Sequence, residues 1–116
     1  MSFRDAPKDK PFFYVWNTLL THESRIWERS DKPLTVNPKD VEIPSYFPDI
    51  PEVRNDIARK YSNIEAMDEK VGEIISQLEE DGLLENTIIM FWSDHGGNLL
   101  RQKRAVGNSG LNVPLI

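Results

Sequence analysis

Cysteine is absent from the 116-residue sequence, which excludes disulfide bonds, thiolate zinc sites and cysteine nucleophiles. The redox state of a compartment therefore leaves no signature in this chain. No apolar run approaches the roughly 20 residues that a membrane-spanning helix needs. The first residues also lack the apolar core of a signal peptide. We therefore expect no membrane contact, and the sequence assigns no cellular location.

Basic residues are also few, with 14 Lys and Arg against 19 Asp and Glu and a formal net charge of −5. A protein that binds a phosphate backbone normally displays a basic face, so this balance argues against a nucleic-acid partner. The one compact basic run, residues 101–104, matches a small anionic group better. The composition, 39% hydrophobic and 28% charged, is that of a folded protein rather than a disordered one.

Two short apolar runs, residues 11–17 and 87–92, lack the alternation of a half-exposed strand. Their β-branched and aromatic content favours strands that are buried on both faces, as in a parallel sheet. Residues 18–50 separate the first run from the next element and contain four prolines. Because proline removes a backbone donor, we predict little regular structure in this connection.

A long amphipathic helix is the strongest local prediction. Apolar residues recur at intervals of three and four at Ile57, Tyr61, Ile64, Met67, Val71, Ile74, Ile75 and Leu78. This stripe predicts a helix from about Pro51 to Glu80, with Gly82 as the left-handed stop. Strand, helix and strand in this order predict an α/β fold, a partial and mostly parallel sheet with the helix packed on it.

The second predicted strand leads into an acid and an imidazole, Asp94 and His95, followed by two glycines. Ligands collect at the carboxyl ends of parallel strands. An Asp oxygen and a neutral His nitrogen can both bind a divalent cation. This pair is therefore a candidate metal site. The alternative is an Asx-type turn with a histidine facing solvent.

Two further residues could handle an anion. His22 follows the first predicted strand and could bind an anion or protonate a leaving group. Lys103 lies eight residues beyond His95, and its ammonium group could contact a sulfate or phosphate oxygen. The alternatives are a loop histidine without a role and a solvated surface loop.

The order of segments resembles the sulfatase family of the alkaline phosphatase superfamily. The resemblance is carried by residues 10–17, 21–24, 40–44, 61–72, 86–96 and 103–116. It implies an alkaline-phosphatase-like fold and metal-dependent hydrolysis of sulfate esters, with calcium as the cofactor. Asp94 and His95 would be metal ligands. His22 would contact the sulfate and assist the departing alcohol or amine, and Lys103 would bind a sulfate oxygen.

The chain departs from the family at the nucleophile. Family members carry a Cys-or-Ser-x-Pro-x-Arg segment whose first residue becomes formylglycine, and no such segment is present in these 116 residues. We therefore expect residues 1–116 to be a single partial sulfatase-like α/β domain, truncated at both ends relative to the family. Alone, it should lack activity and bind calcium weakly. We also expect self-association through an exposed sheet edge or apolar face.

The substrate implied by the resemblance is a sulfated small molecule or carbohydrate, with sulfated sugars and sulfamates among the candidates, and residues 21–24 favour sulfated sugars. One alternative is a phosphodiesterase or phosphonate monoester hydrolase of the same superfamily, because those enzymes share the Asp-His metal pair. A second alternative is a non-catalytic α/β module that serves as a scaffold or binding partner.

Overall fold

The computed structural model describes residues 2–7 and 9–116. Within these residues there are three α-helices: α1 (Arg25–Glu28), α2 (Pro51–Glu80) and α3 (Asn108–Leu111). Two short 3₁₀ turns, Phe3–Asp5 and Leu84–Asn86, complete the regular structure of the described chain. Connections without regular structure make up the rest, including most of residues 18–50, as predicted from their prolines.

Helix α2 begins and ends where the sequence predicts. Pro51 occupies the first turn, where its missing N–H removes no helical hydrogen bond. At the other end, Gly82 adopts a φ of +67°, and its N–H donates to the Glu79 carbonyl at 2.9 Å. The Leu83 N–H reaches back to the Leu78 carbonyl at 2.8 Å. These two bonds form a Schellman motif, which satisfies carbonyls that the helix itself leaves unpaired.

The predicted α/β sheet is wrong. Residues 2–7 and 9–116 contain no strand, and their sole β-bridge is an isolated antiparallel pair, Trp92 with Leu115. Phe91 and Ile116 exchange two backbone hydrogen bonds of 2.8 Å, so the second apolar run pairs with the end of the chain. The first apolar run, 11–17, has no regular secondary structure and forms no ladder. A strand exists only with a hydrogen-bonded partner beside it, and no backbone hydrogen bond between described residues joins these two runs.

The hydrophobic core lies between the 34–43 connection and the first half of α2. Its buried residues are Val41, Ile57 and Ala58, and partly buried Leu34, Val36, Ile43, Val53 and Leu99 pack against them. Leu99 comes from the loop that also carries Lys103, so this core fixes one end of that loop. A smaller aromatic group forms where the Phe12 ring stacks on Phe3 with centroids 5.8 Å apart.

Much of the apolar stripe on α2 is left partly open. Ile57 and Leu78 are buried, but Tyr61 and Ile64 are exposed. The connection between α1 and α2 instead covers a neighbouring polar face of the helix, at Arg59, Ser62 and Asn63. The radius of gyration, 17.1 Å, exceeds the roughly 13 Å of a compact 100-residue domain. The chain is therefore extended, with apolar surface available for further packing.

Candidate functional site

The candidate site is built from two loops, and His22 belongs to the first. A turn after residues 11–19 is closed by a hydrogen bond from the His22 N–H to the Leu19 carbonyl, 3.1 Å long. The His22 carbonyl accepts the Arg25 N–H at 2.9 Å and so leads directly into α1. Ring atom Nδ1 lies 3.1 Å from Ser24 Oγ. These contacts orient the ring so that Nε2 faces the second loop.

The second loop, residues 93–104, brings Lys103 to His22. Its backbone folds back on itself through a 2.9 Å hydrogen bond from the Lys103 N–H to the Gly97 carbonyl. Asn98 Nδ2 donates to the Thr21 carbonyl at 3.4 Å, which ties this loop to the histidine turn. As a result, Lys103 Nζ lies 3.5 Å from His22 Nε2, although 81 positions separate them in sequence. An imidazole and an ammonium group this close together can share one anionic oxygen.

Two neighbours of this pair, Glu23 and Arg104, were not predicted as site residues. Arg104 Nη2 donates to Glu23 Oε1 at 2.6 Å, and Lys103 Nζ lies 3.8 Å from the same oxygen. The hydrogen bond from Arg104 lowers the pKa of the Glu23 carboxyl, with smaller contributions from the charges of Arg104 and Lys103 and some opposition from desolvation. Both residues lie inside segments that the sequence singles out, residues 21–24 and the basic run 101–104, but no sequence pattern indicates that these two segments meet.

Asp94 and His95 lie side by side on the same loop. His95 Nδ1 is 2.7 Å from the Gly96 carbonyl oxygen. Because a carbonyl oxygen can only accept a hydrogen bond, Nδ1 must carry the proton in this contact. In the neutral ring, Nε2 then keeps its lone pair, 3.5 Å from Asp94 Oδ1. A backbone carbonyl that holds the other nitrogen is the usual support of a metal-binding histidine. The Asp94 side chain is 83% exposed, so both donors are accessible.

These two donors alone do not fit a calcium ion. Calcium takes six to eight oxygen ligands in proteins, and the described part of the chain holds no group of three or more His, Asp or Glu residues that could bind a metal. One carboxylate and one imidazole can form only a corner of such a site. Therefore no chemical step can be assigned to a metal held by these residues alone.

Buried polar side chains on α2 hold the first loop in place. Asn63 is fully buried; its amide donates to the Arg25 carbonyl at 3.2 Å, and its oxygen accepts from Arg29 Nε at 2.9 Å. Helix α1 is thereby fixed directly after the histidine turn. Sequence reasoning missed Asn63, because a polar residue within an amphipathic helix gives no sign of being buried.

Lys60 and Gln102 hold the second loop. Lys60 Nζ donates to Gln102 Oε1 at 3.2 Å, next to Lys103 in sequence. Burial lowers the pKa of the Lys60 ammonium group, because desolvation disfavours its charged form. Of the four predicted site residues, the structure brings His22 and Lys103 into contact and keeps Asp94 beside His95. No hydrogen bond or ion pair between described residues joins one pair to the other.

Comparison with known proteins identifies the family. The family model described as Sulfatase matches residues 1–116. The chain belongs to the sulfatase family. Sulfatases hydrolyse sulfate esters and generally use a divalent metal ion. Among the described residues of this sulfatase chain, no helix is both long enough and apolar enough to span a bilayer.

Three curated sulfatases illustrate the similarity. An ulvan-active sulfatase of Formosa agariphila is 37% identical over 150 aligned positions, which cover 98% of this chain and 25% of that protein. Human N-sulphoglucosamine sulphohydrolase is 36% identical over 64 positions, 55% of this chain and 13% of that protein. Choline-sulfatase of Rhizobium meliloti is 45% identical over 47 positions, 40% of this chain and 9% of that protein.

The chain thus spans about a quarter of the length of the ulvan-active sulfatase and smaller shares of the other two relatives. No solved structure matches it.

Proposed function

We propose that this chain forms part of a sulfatase catalytic site, in which His22 and Lys103 contact the sulfate group of a sulfated small molecule or carbohydrate. The observation that carries the proposal is the 3.5 Å contact between Lys103 Nζ and His22 Nε2. Lys103 would stabilise negative charge on a sulfate oxygen, and His22 would donate a proton to the leaving oxygen or nitrogen.

In this proposal residues 1–116 are one part of a sulfatase domain, and these residues alone do not turn over substrate. Cleavage of a sulfate ester needs a nucleophile, and the chain has neither a cysteine nor a Ser-x-Pro-x-Arg segment to supply one. The expected result with 4-nitrophenyl sulfate is no release of nitrophenol above the buffer rate. Turnover by the purified 116-residue chain would contradict this part of the proposal.

Asp94 and His95 would contribute one corner of a calcium site, and the other ligands would come from outside these residues. The accessible lone pair of His95 beside the Asp94 carboxylate supports this role. Because two ligands are too few to complete the coordination of a calcium ion, the chain alone should bind calcium weakly. Isothermal titration that gave a micromolar dissociation constant for this chain would refute the proposal of weak binding.

Apolar side chains that remain exposed to solvent support self-association of the chain through its apolar surface. Ile88 and Phe13 are each 93% exposed, and water is an unfavourable environment for such side chains. The expected result in light scattering is a mass above the 13.4 kDa of one chain. A monodisperse monomer across a concentration series would count against it.

Binding of methyl sulfate to the 116-residue chain, followed by nuclear magnetic resonance, tests the site itself. We expect methyl sulfate to shift the resonances of the His22 ring and the Lys103 side chain in the wild-type chain, and Lys103→Ala to abolish the shift of the His22 ring. Lys39→Ala is the matched control, because Lys39 is exposed and lies outside the site. Shifts that persist in Lys103→Ala, or that centre on other residues, would overturn the proposed site.

A further inference from the structure

Arg104 is the exposed cation of the site. Its side chain is 72% exposed, whereas the side chain of Lys103 is only 20% exposed. Among the described residues, the guanidinium group of Arg104 makes one hydrogen bond, from Nη2 to Glu23 Oε1. A guanidinium group carries five N–H donors in a planar fork. Most of these donors therefore face solvent, directly beside the pair proposed to hold sulfate.

Glu23 balances only one of the two adjacent cations. One carboxylate oxygen lies near both Arg104 Nη2 and Lys103 Nζ, and the lowered pKa of Glu23 keeps that carboxyl ionised. Counted together, Lys103, Arg104 and Glu23 leave a net positive charge on a chain whose formal net charge is −5. The cluster therefore has the charge to attract one more acidic group than Glu23 provides.

The backbone around Lys103 is held in an unusual conformation. Arg101 and Arg104 have φ values of 62° and 69°, and they are the described non-glycine residues with positive φ. Such backbone is disfavoured for residues with a Cβ and persists where the surroundings enforce it. The Arg101 guanidinium group stacks over the Tyr46 ring at 5.2 Å, which leaves Arg104 as the arginine directed to the His22 turn.

We propose that Arg104 binds a second acidic group of the substrate, a carboxylate or a second sulfate, next to the sulfate held by His22 and Lys103. The site would then select polyanionic substrates over those with a single sulfate. This inference rests on the proposed function, because it takes His22 and Lys103 as the first anion site. Glu23 would occupy the second position until substrate displaces its carboxylate from Arg104.

A purely structural role for Arg104 predicts a different response to mutation. If Arg104 only clamps the two loops through Glu23, then removing either partner breaks the same bond, and both variants weaken anion binding. If Arg104 is a ligand, Glu23 competes with the second acidic group. Removing Glu23 then strengthens binding of a dianion, whereas removing Arg104 weakens it. The two variants therefore change affinity in opposite directions.

The experiment measures the affinity of the 116-residue chain for methyl sulfate and for the bis-sulfate of propane-1,3-diol at one fixed ionic strength, by resonance titration. We expect the bis-sulfate to bind about tenfold tighter, the advantage of one extra charge-assisted contact. Arg104→Gln should remove this preference, Arg104→Lys should keep part of it, and Glu23→Gln should increase it.

Arg4→Gln is the matched control. Arg4 is also an exposed arginine held by carboxylates, with Nε 2.7 Å from Asp81 Oδ2 and Nη2 3.0 Å from Glu80 Oε2. It lies at the far end of α2, roughly 30 Å along the helix from Lys60. The same loss of charge at that distance should leave the bis-sulfate preference unchanged. Circular dichroism of each variant checks that α2 is intact.

Three results would overturn the inference: an undiminished preference in Arg104→Gln, weaker bis-sulfate binding in both Arg104→Gln and Glu23→Gln, or a loss of preference in the control. If the wild-type chain binds methyl sulfate at His22 and Lys103 without preferring the bis-sulfate, this inference fails and the proposed function stands. If methyl sulfate does not contact those residues, both fail.

Discussion

Replacement of Asn63 with alanine should detach α1 from α2 and so release the turn that carries His22. Asn63 is 0% exposed, and its amide joins the Arg25 carbonyl to the Arg29 side chain. Alanine leaves the carbonyl without this donor. The Arg29 guanidinium group is partly exposed and can turn to water instead.

The expected loss of stability follows from these contacts. Each hydrogen bond is worth about 1 kcal/mol net, and the part-buried Arg25 carbonyl, left without this donor, adds a cost at the lower end of the roughly 1–3 kcal/mol of a buried one. We therefore expect Asn63→Ala to lower the free energy of unfolding by about 2–3 kcal/mol. At a denaturant slope of about 1–3 kcal/mol/M, the urea midpoint should fall by about 0.7–3 M.

Urea titration followed by circular dichroism and tryptophan fluorescence measures this change. Trp27 lies on α1, so the fluorescence includes a signal from that helix together with the signals of the other two tryptophans. Asn55→Ala is the matched control, because Asn55 is an exposed residue of the same type on the same helix. Its change should stay within about 0.5 kcal/mol. Equal losses in the two variants would refute the argument that burial and bonding of Asn63 hold α1.

Two further predictions concern stability in acid and the 93–104 loop. Both Asp49 carboxylate oxygens accept hydrogen bonds from Arg54, at 2.5 Å from Nε and 2.7 Å from Nη2. These hydrogen bonds lower the pKa of Asp49 in the folded chain. As pH falls, Asp49 is therefore protonated in the unfolded chain before it is protonated in the folded one. The urea midpoint should therefore drop as pH falls from about 4 towards the lowered pKa, and an undiminished drop in Asp49→Asn would exclude this cause. A Cβ on Gly96 would lie 2.1 Å from the Ser109 carbonyl oxygen, so Gly96→Ala should cost about 1–3 kcal/mol. By contrast, a Cβ on Gly72 would have no atom within 4 Å, so Gly72→Ala should stabilise α2 by about 0.5–1 kcal/mol. Similar thermal midpoints for the two variants would contradict the close approach of the backbone at Gly96.

Helix α2 could be predicted from sequence because its signals are local. The spacing of apolar residues, Pro51 at the start and Gly82 after the end each act within a few residues of chain. The predicted sheet failed for the opposite reason, since a strand needs hydrogen-bond partners that sequence pattern does not identify. Here Phe91 pairs with Ile116 rather than with the first apolar run.

For the candidate site, too, the sequence predicted some features and only the tertiary structure decided others. His22, Lys103, Asp94 and His95 could be predicted from their residue types, their positions after the two apolar runs and the resemblance to sulfatases, because few side chains bind cations or sulfate oxygens. Only the tertiary structure decided that Lys103 meets His22, that Arg104 and Glu23 join them, and that Asn63 lies buried beneath α1. Contacts across about 80 positions depend on how the loops pack, and packing is a property of the whole chain rather than of any segment.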